Sequence, residues 1–240
     1  VAFTIPADQQ EWAEKLQKWA AEPLHEDLEP WVEDGAFGKS LRHPLVFDIP
    51  LMLPGRANEQ YAYKQQAIKD ALAAQKWHSV VFLHERPYRA EALAQLEWYK
   101  IPNKTWWGLV GSVWTDSENI WQNNEEWRQV WADDRPQRPQ AMSKEERAFL
   151  RALPEKFTVW RGAAEGVNED GMSWSLDRDR ALWFAKRFER EGDPLLICGI
   201  VKKSDVLAYF NGRNESEVVI FPENVSRVDS VVVGEGPEGL

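Results

Sequence analysis

The residues best equipped for chemistry in this 240-residue chain stand in its last third. Arg161 closes a run of strand-forming residues and precedes Gly162. The triplet Ser173-Trp174-Ser175 begins 12 positions after Arg161, and Glu215-Ser216-Glu217 begins 40 positions after Ser175. A guanidinium offers planar, bidentate donors for an oxyanion. In an extended strand residues i and i+2 share a face, so Ser173 and Ser175 point together while Trp174 points away. The same rule predicts Glu215 and Glu217 on one face with Ser216 on the other. Two like charges at that spacing are costly unless something offsets them, and a substrate cation between them is one such offset. Taken singly, each feature has a plainer use: a surface ion pair, a helix cap, a solvated strand face. Their order along the chain and their placement on strands give the set its meaning.

The elements that must position these residues are short strands. From Phe157 onward the sequence predicts strands at 157–161, 172–175, 195–201, 205–210, 216–221 and 226–233, with one helix at about 177–190 that buries Ala181, Phe184, Ala185 and Phe188. The preceding part reads mainly as helices. Asp8 with Glu11 forms a capping box before Trp12, Leu16 and Trp19 at helical spacing, and Leu24, Leu28 and Trp31 repeat that spacing. Residues 36–56, with Pro44, Pro50 and Pro54, read as an irregular connection. Residues 58–76 read as a helix, Trp77 to Leu83 as a β-like run, and Pro87 as the opening of a further helix carrying Leu93, Leu96 and Tyr99. Thr115 with Glu118 predicts a cap ahead of Ile120, Trp127 and Trp131, and Ser143 with Glu146 a cap for one more helix. The expected division is a tryptophan-rich, mainly helical region over 1–134, a proline-containing linker over 135–142 and a strand-rich core over 143–240, with a frayed tail GEGPEGL. The fold class expected is α+β.

Composition excludes several alternatives. The net charge is −10, and neither half is a basic arm, so counterion-driven binding to nucleic acid is not advertised. The four histidines, His25, His43, His78 and His84, show no metal-ligand spacing, and one cysteine, Cys198, cannot build a thiolate site; inside LLICGIV it reads as a buried, inert thiol. No Walker-A or Gly-x-Ser-x-Gly pattern occurs. No apolar run approaches the ~18 residues that cross a bilayer, and the start lacks a signal peptide's basic and apolar regions. Asn214-Glu215-Ser216 and Asn224-Val225-Ser226 fit the glycosylation pattern, so a cytoplasmic home is the economical expectation. The 14 tryptophans read mostly as aromatic core; Trp106, Trp107, Trp114 and Trp121 also admit a reading as a stacking platform for bases.

The arginine, the Ser-x-Ser strand and the Glu-x-Glu strand, in that order, resemble the R-S-E class of mono-ADP-ribosyltransferases, the cholera-toxin-like group. SWSLDRDRALWFAKRF followed by NESEVVIFP carries the likeness, over about residues 155–225. Trp174 departs from the family's usual threonine, and the spacing is compact. The resemblance implies a split β-sandwich core and NAD as substrate, with no metal. It implies Glu217 as the catalytic carboxylate, with Glu215 handling the acceptor. It implies Arg161, Gly162, Ser173, Trp174 and Ser175 in the NAD site, with Arg161 at the phosphate and Ser173 orienting Glu217. The loop before Glu215 corresponds to the family's target-recognition loop, which offers Tyr209 and Arg213 to the acceptor and leaves Phe210 to packing.

The activity expected is therefore transfer of ADP-ribose from NAD to a macromolecule, with release of nicotinamide. A protein arginine is favoured over a nucleic acid, and no membrane is involved. A bacterial or phage effector, toxin or defence factor fits this activity, with or without a cognate inhibitor or antitoxin. Two other readings use the same residues: modification of RNA or DNA, or simple NAD hydrolysis; and a binding protein without catalysis.

Overall fold

Alternation of apolar side chains, punctuated by glycine, proline and asparagine, sets out two groups of elements in the computed structural model, which describes residues 7–118, 120–187 and 189–233. By their contacts the residues form two units, Val1–Ala92 and Leu93–Leu240. Both helices and antiparallel sheets are present, an arrangement compatible with the α+β class.

The first unit contains helix α1 (Ala7–Ala21), a three-stranded antiparallel sheet of β1 (Val32–Gly35), β2 (Gly38–His43) and β3 (Val46–Asp48), then α2 (Pro54–Ala73), α3 (Trp77–Phe82) and the start of α4 (Arg89–Ala94). Its core gathers Leu28, Leu41, Leu45, Val46, Ala57 and Tyr61. Three expectations are corrected here. Residues 36–56 are not an irregular connection: Gly38, at φ 108°, and Pro44 stand at turns between strands, and the residues between them pair. The run expected as β-like is a helix over Trp77–Phe82, with Trp77, Val80 and Val81 buried at i, i+3 and i+4. Leu24, Leu28 and Trp31 do not form an α-helix. Pro30, which lacks an N–H, holds Glu29–Trp31 to a single 3₁₀ turn. The side chain of Asp8 and all of Phe188 and the tail 234–240 lie outside the described residues, so the cap, the last stripe residue and the fraying expected there do too.

The second unit opens with α5 (Asn103–Asp116), α6 (Asn124–Ala132) and α7 (Lys144–Ala152). Trp106, Trp107, Trp114, Trp127 and Trp131 are fully buried, and the Trp114 ring meets Trp127 at 4.8 Å and Trp131 at 5.6 Å. Thr115 caps no following helix: its hydroxyl bonds back to Gly111 O and Ser112 O within α5. Ser143 and Glu146 do form the expected capping box on α7. The segment 135–142, expected as a linker, lies within this unit. There the carbonyls of Arg135 and Pro136 accept the Trp107 indole N–H, and Gly111 sits so close to Ala141 that a Cβ would stand 2.0 Å from its carbonyl oxygen.

Six antiparallel strands follow: β4 (Lys156–Ala164), β5 (Ser173–Ser175), β6 (Pro194–Lys202), β7 (Val206–Phe210), β8 (Glu217–Ile220) and β9 (Ser226–Val232), with α8 (Arg178–Arg187) between β5 and β6. The spatial order is β7-β8-β5-β4-β6-β9. β4 and β6 pair along nine positions, whereas β4 meets β5 at the single pair Trp160 and Ser175. Gly162 lets α8 close onto β4, since a Cβ there would stand 2.0 Å from Ala181 O. Cys198 is buried on β6, and burial pushes its thiol pKa up, as befits an inert thiol.

Candidate active site

Strand pairing brings the predicted residues together. β5 lies between β4 and β8, so Ser175 stands opposite both Trp160 and Glu217, and Ser173 opposite Val219. Cross-strand partners share a face; Ser173, Ser175 and Glu217 therefore project together. A cleft of about 80 Å³ opens over this face, lined by Arg161, Gly162, Ser173, Trp174, Ser175, Glu215 and Glu217 among others. Glu118, Ile120, Trp121 and Asn124, from the segment leading into α6, line it as well. Trp121, Asn124 and Asn168 continue into a neighbouring groove with Gly166, Glu169 and Asp170.

Glu217 is 5 % exposed and accepts a short hydrogen bond, 2.5 Å, from the Ser173 hydroxyl at Oε1. Burial is the main influence on its carboxyl and raises the pKa above the usual carboxylate value. The Ser173 hydrogen bond and the Arg213 charge oppose that rise, Glu215 adds to it, and the Trp114 indole opposes it. The Trp114 N–H itself falls outside hydrogen-bond geometry with any described group, so its effect on Glu217 is best read as that of a nearby dipole.

Arg161 is 7 % exposed and makes four hydrogen bonds: Nε and Nη2 to Asn168 O, Nη2 to Asn168 Oδ1, and Nη1 to Ser173 O at 2.5 Å. A guanidinium has five N–H groups, so one on Nη1 is left over. The side chain thus clamps the turn from Asn168 to Ser173 that walls the cleft. Burial, with the nearby Arg227 charge, brings its pKa down to about 10. Gly171 is required by this packing, because a Cβ there would stand 2.0 Å from Arg161 Nη2. Arg227 on β9 holds the same turn from outside through Glu169 and Asp170.

Ser175 differs in duty from Ser173. Its hydroxyl donates to Glu215 O at 2.7 Å and accepts from Asp177 N at 3.0 Å, tying the Glu215 backbone to the start of α8. Glu215 is not on a strand. β8 begins at Glu217, and Ser216 takes φ 46°, so the i, i+2 argument from an extended strand does not apply. The two carboxylates nevertheless line one cleft, because the left-handed turn at Ser216 redirects the chain. Glu215 pairs with Arg213 at 3.1 Å, and Arg213 also reaches Ser117 O at 3.3 Å.

Trp174 is buried and donates its indole N–H to Gly171 O. Its ring packs over Gly199 on the sheet face away from α8. Tyr209 is not among the cleft residues: it is buried and stacked on Phe149 at 4.4 Å, while Phe210 packs toward Trp131. Sequence reasoning missed Asn168, Gly171 and Arg227, and it named Trp121 only within a stacking platform for bases, not with Glu118, Ile120 and Asn124 at this cleft. The run GVNEDG was a legible turn, and Asn168 takes the left-handed conformation that asparagine tolerates; the segment leading into α6 carries no local signal for the cleft.

Among the described residues no group of three His, Cys, Asp or Glu side chains is placed to hold a metal ion, and no helix is long and apolar enough to cross a membrane. Comparison with protein-family models, curated proteins and solved structures gave no match.

Proposed function

We propose that the chain is a mono-ADP-ribosyltransferase that cleaves NAD between nicotinamide and ribose and passes ADP-ribose to a macromolecular acceptor, a protein arginine being favoured. The observation that carries this reading is the buried Ser173–Glu217 hydrogen bond at the floor of a cleft that also holds Arg161 and Glu215. The near division of the sheet at β4 and β5 is in keeping with a split sandwich.

Breaking the nicotinamide–ribose bond develops an oxocarbenium ion, as glycoside cleavage does. Glu217, held by Ser173, stabilises that charge and accepts a hydrogen bond from the ribose 2′-hydroxyl that strengthens as the charge grows. Arg161 acts mainly by shaping the Asn168–Ser173 turn, with its remaining N–H and its buried charge available to a phosphate oxygen. This amends the role implied by the resemblance, in which the guanidinium holds the phosphate outright. The cleft runs on into the adjoining groove at Trp121, Asn124 and Asn168, which offers the rest of NAD a place to lie. Glu215 receives the acceptor; its existing partner, Arg213, is itself a guanidinium.

Transfer of label from NAD radiolabelled in the adenylate part, in a cell lysate, tests the reading. Labelled macromolecule from the wild type and none from Glu217→Gln supports it, and protease or nuclease digestion sorts protein from nucleic acid. Absence of label and of nicotinamide across several lysates would leave a binding protein.

A further inference from the structure

The loop between β7 and β8 is fixed from several sides. Asn214 and Ser216 both take positive φ, 56° and 46°, so the chain folds back sharply. Asn211 closes the turn, accepting Ser216 N at Oδ1 and Asn214 N at its carbonyl. From α8, Arg180 reaches the carbonyls of Arg213 at 3.1 Å and Asn214 at 3.3 Å. These contacts fix the backbone at Arg213; its side chain bonds to Ser117 O at 3.3 Å, and its Nη2 lies 3.1 Å from Glu215 Oε2. Glu215 lines the cleft with Glu217. The Arg213 side chain is 41 % exposed and Glu215 17 % exposed, so the guanidinium meets the cleft residue Glu215 while staying open to solvent, without itself lining the cleft.

Under the reading above, Glu215 orients the guanidinium of an acceptor, and the chain already places one of its own there. We propose that Arg213 is itself an acceptor, so that the enzyme ADP-ribosylates its own loop in an intramolecular reaction. The inference rests on the transferase reading of the site. In the step, the bond between ribose C1′ and the nicotinamide nitrogen breaks, and neutral nicotinamide leaves with the electron pair. An Nη of Arg213 forms the new bond to C1′. One guanidinium proton passes to Glu215, and the modified guanidinium can then remain cationic by retaining its other protons. No oxidant, reductant or further reactant is needed.

The product has a local consequence. It brings two phosphate charges beside Glu215 and adds bulk to the nitrogens that made the ion pair, so the Arg213–Glu215 contact loosens by like-charge repulsion. The positive charge that favours ionised Glu217 is offset by the same phosphates. Self-modification is therefore expected to slow later turnovers.

The test uses the purified full chain and NAD, with no other acceptor. Fragment mass spectrometry locates the ADP-ribose, nicotinamide is measured in parallel, and the protein is diluted tenfold. The expected result is up to about one adduct per chain at Arg213, with a half-time unchanged by dilution. Glu217→Gln should give none, and Arg213→Lys, checked by thermal melt to be folded, should lose the adduct at that position at least tenfold. Nicotinamide released with Arg213 unmodified, or a half-time that lengthens on dilution, overturns the self-acceptor proposal and leaves the cleavage of NAD standing. No nicotinamide from NAD overturns both.

Discussion

The Ser173 hydroxyl donates to Glu217 Oε1 at 2.5 Å across the neighbouring strands β5 and β8. The bond opposes the rise that burial imposes on the Glu217 pKa. Removing it by Ser173→Ala should raise that pKa further. If ionised Glu217 supports nicotinamide release, kcat rises with pH as the carboxyl loses its proton. The acidic limb of the wild-type profile should then lie above the ordinary glutamate range, and in Ser173→Ala it should move higher still. A hydrogen bond to a charged group contributes about 1.5–3 kcal/mol, so kcat near neutrality should fall about 10- to 100-fold. A pH profile of nicotinamide release for both proteins checks the direction and the size.

Glu217 also links function to stability. Its folded pKa is raised above its unfolded value, so the native state holds the proton more tightly. Stability therefore falls as pH rises from the unfolded pKa through the folded one and stays lowered above it. Glu217→Gln removes that ionisation while keeping an acceptor for Ser173. The variant should melt higher than wild type at pH 7–8, by about 2–4 °C for each kcal/mol recovered, and the gap should narrow at pH 4. Melting curves at the two pH values decide it.

Arg161→Lys keeps the positive charge but not the planar fork. An ammonium has three donors and no planar fork, and cannot reproduce the four bonds to Asn168 O, Asn168 Oδ1 and Ser173 O. The loss should cost about 1–3 kcal/mol. Because these bonds shape the wall of the cleft, NAD turnover should fall together with protection of the backbone at 168–173 in hydrogen exchange. A variant with normal exchange there would show that Arg161 does not hold the turn.

Gly162→Ala probes the seating of α8. The added carbon would meet Ala181 O at 2.0 Å and Ala185 N at 2.3 Å, both backbone atoms of the helix. The helix must shift, and overpacking of this kind costs about 1–3 kcal/mol. A lowered midpoint in denaturant is expected, whereas Gly212→Ala, which meets nothing within 4 Å, should leave it nearly unchanged.

What the sequence reveals follows from how local the physics is. Most of the strands over 156–232 were legible as short runs of strand-forming residues bounded by breakers; β9, exposed along its length, still carries Val228, Val231 and Val232 among its polar residues. The run at Trp77 to Leu83 misled because its valines are adjacent and so mask helical spacing. Prolines 44 and 50 suggested disorder of pattern where they only flank strands. In the site, Arg161, Ser173 and Glu217 were readable from residue type and order. Tyr209 was not, since its pairing with Val218 puts it on the sheet face away from Glu217, where it stacks on Phe149. The turn at Ser216 was hidden by an expectation of extended backbone, and the lining at Trp121 and Asn124 depends on tertiary packing alone.

The most direct test of the central claim is release of nicotinamide from NAD by the purified chain, measured beside Glu217→Gln with both proteins shown to be folded. The account predicts release by the wild type and a loss of at least about 100-fold in the variant, on the order of 2.7 kcal/mol of transition-state stabilisation. Equal rates in the two proteins, or no release by the wild type, would contradict it.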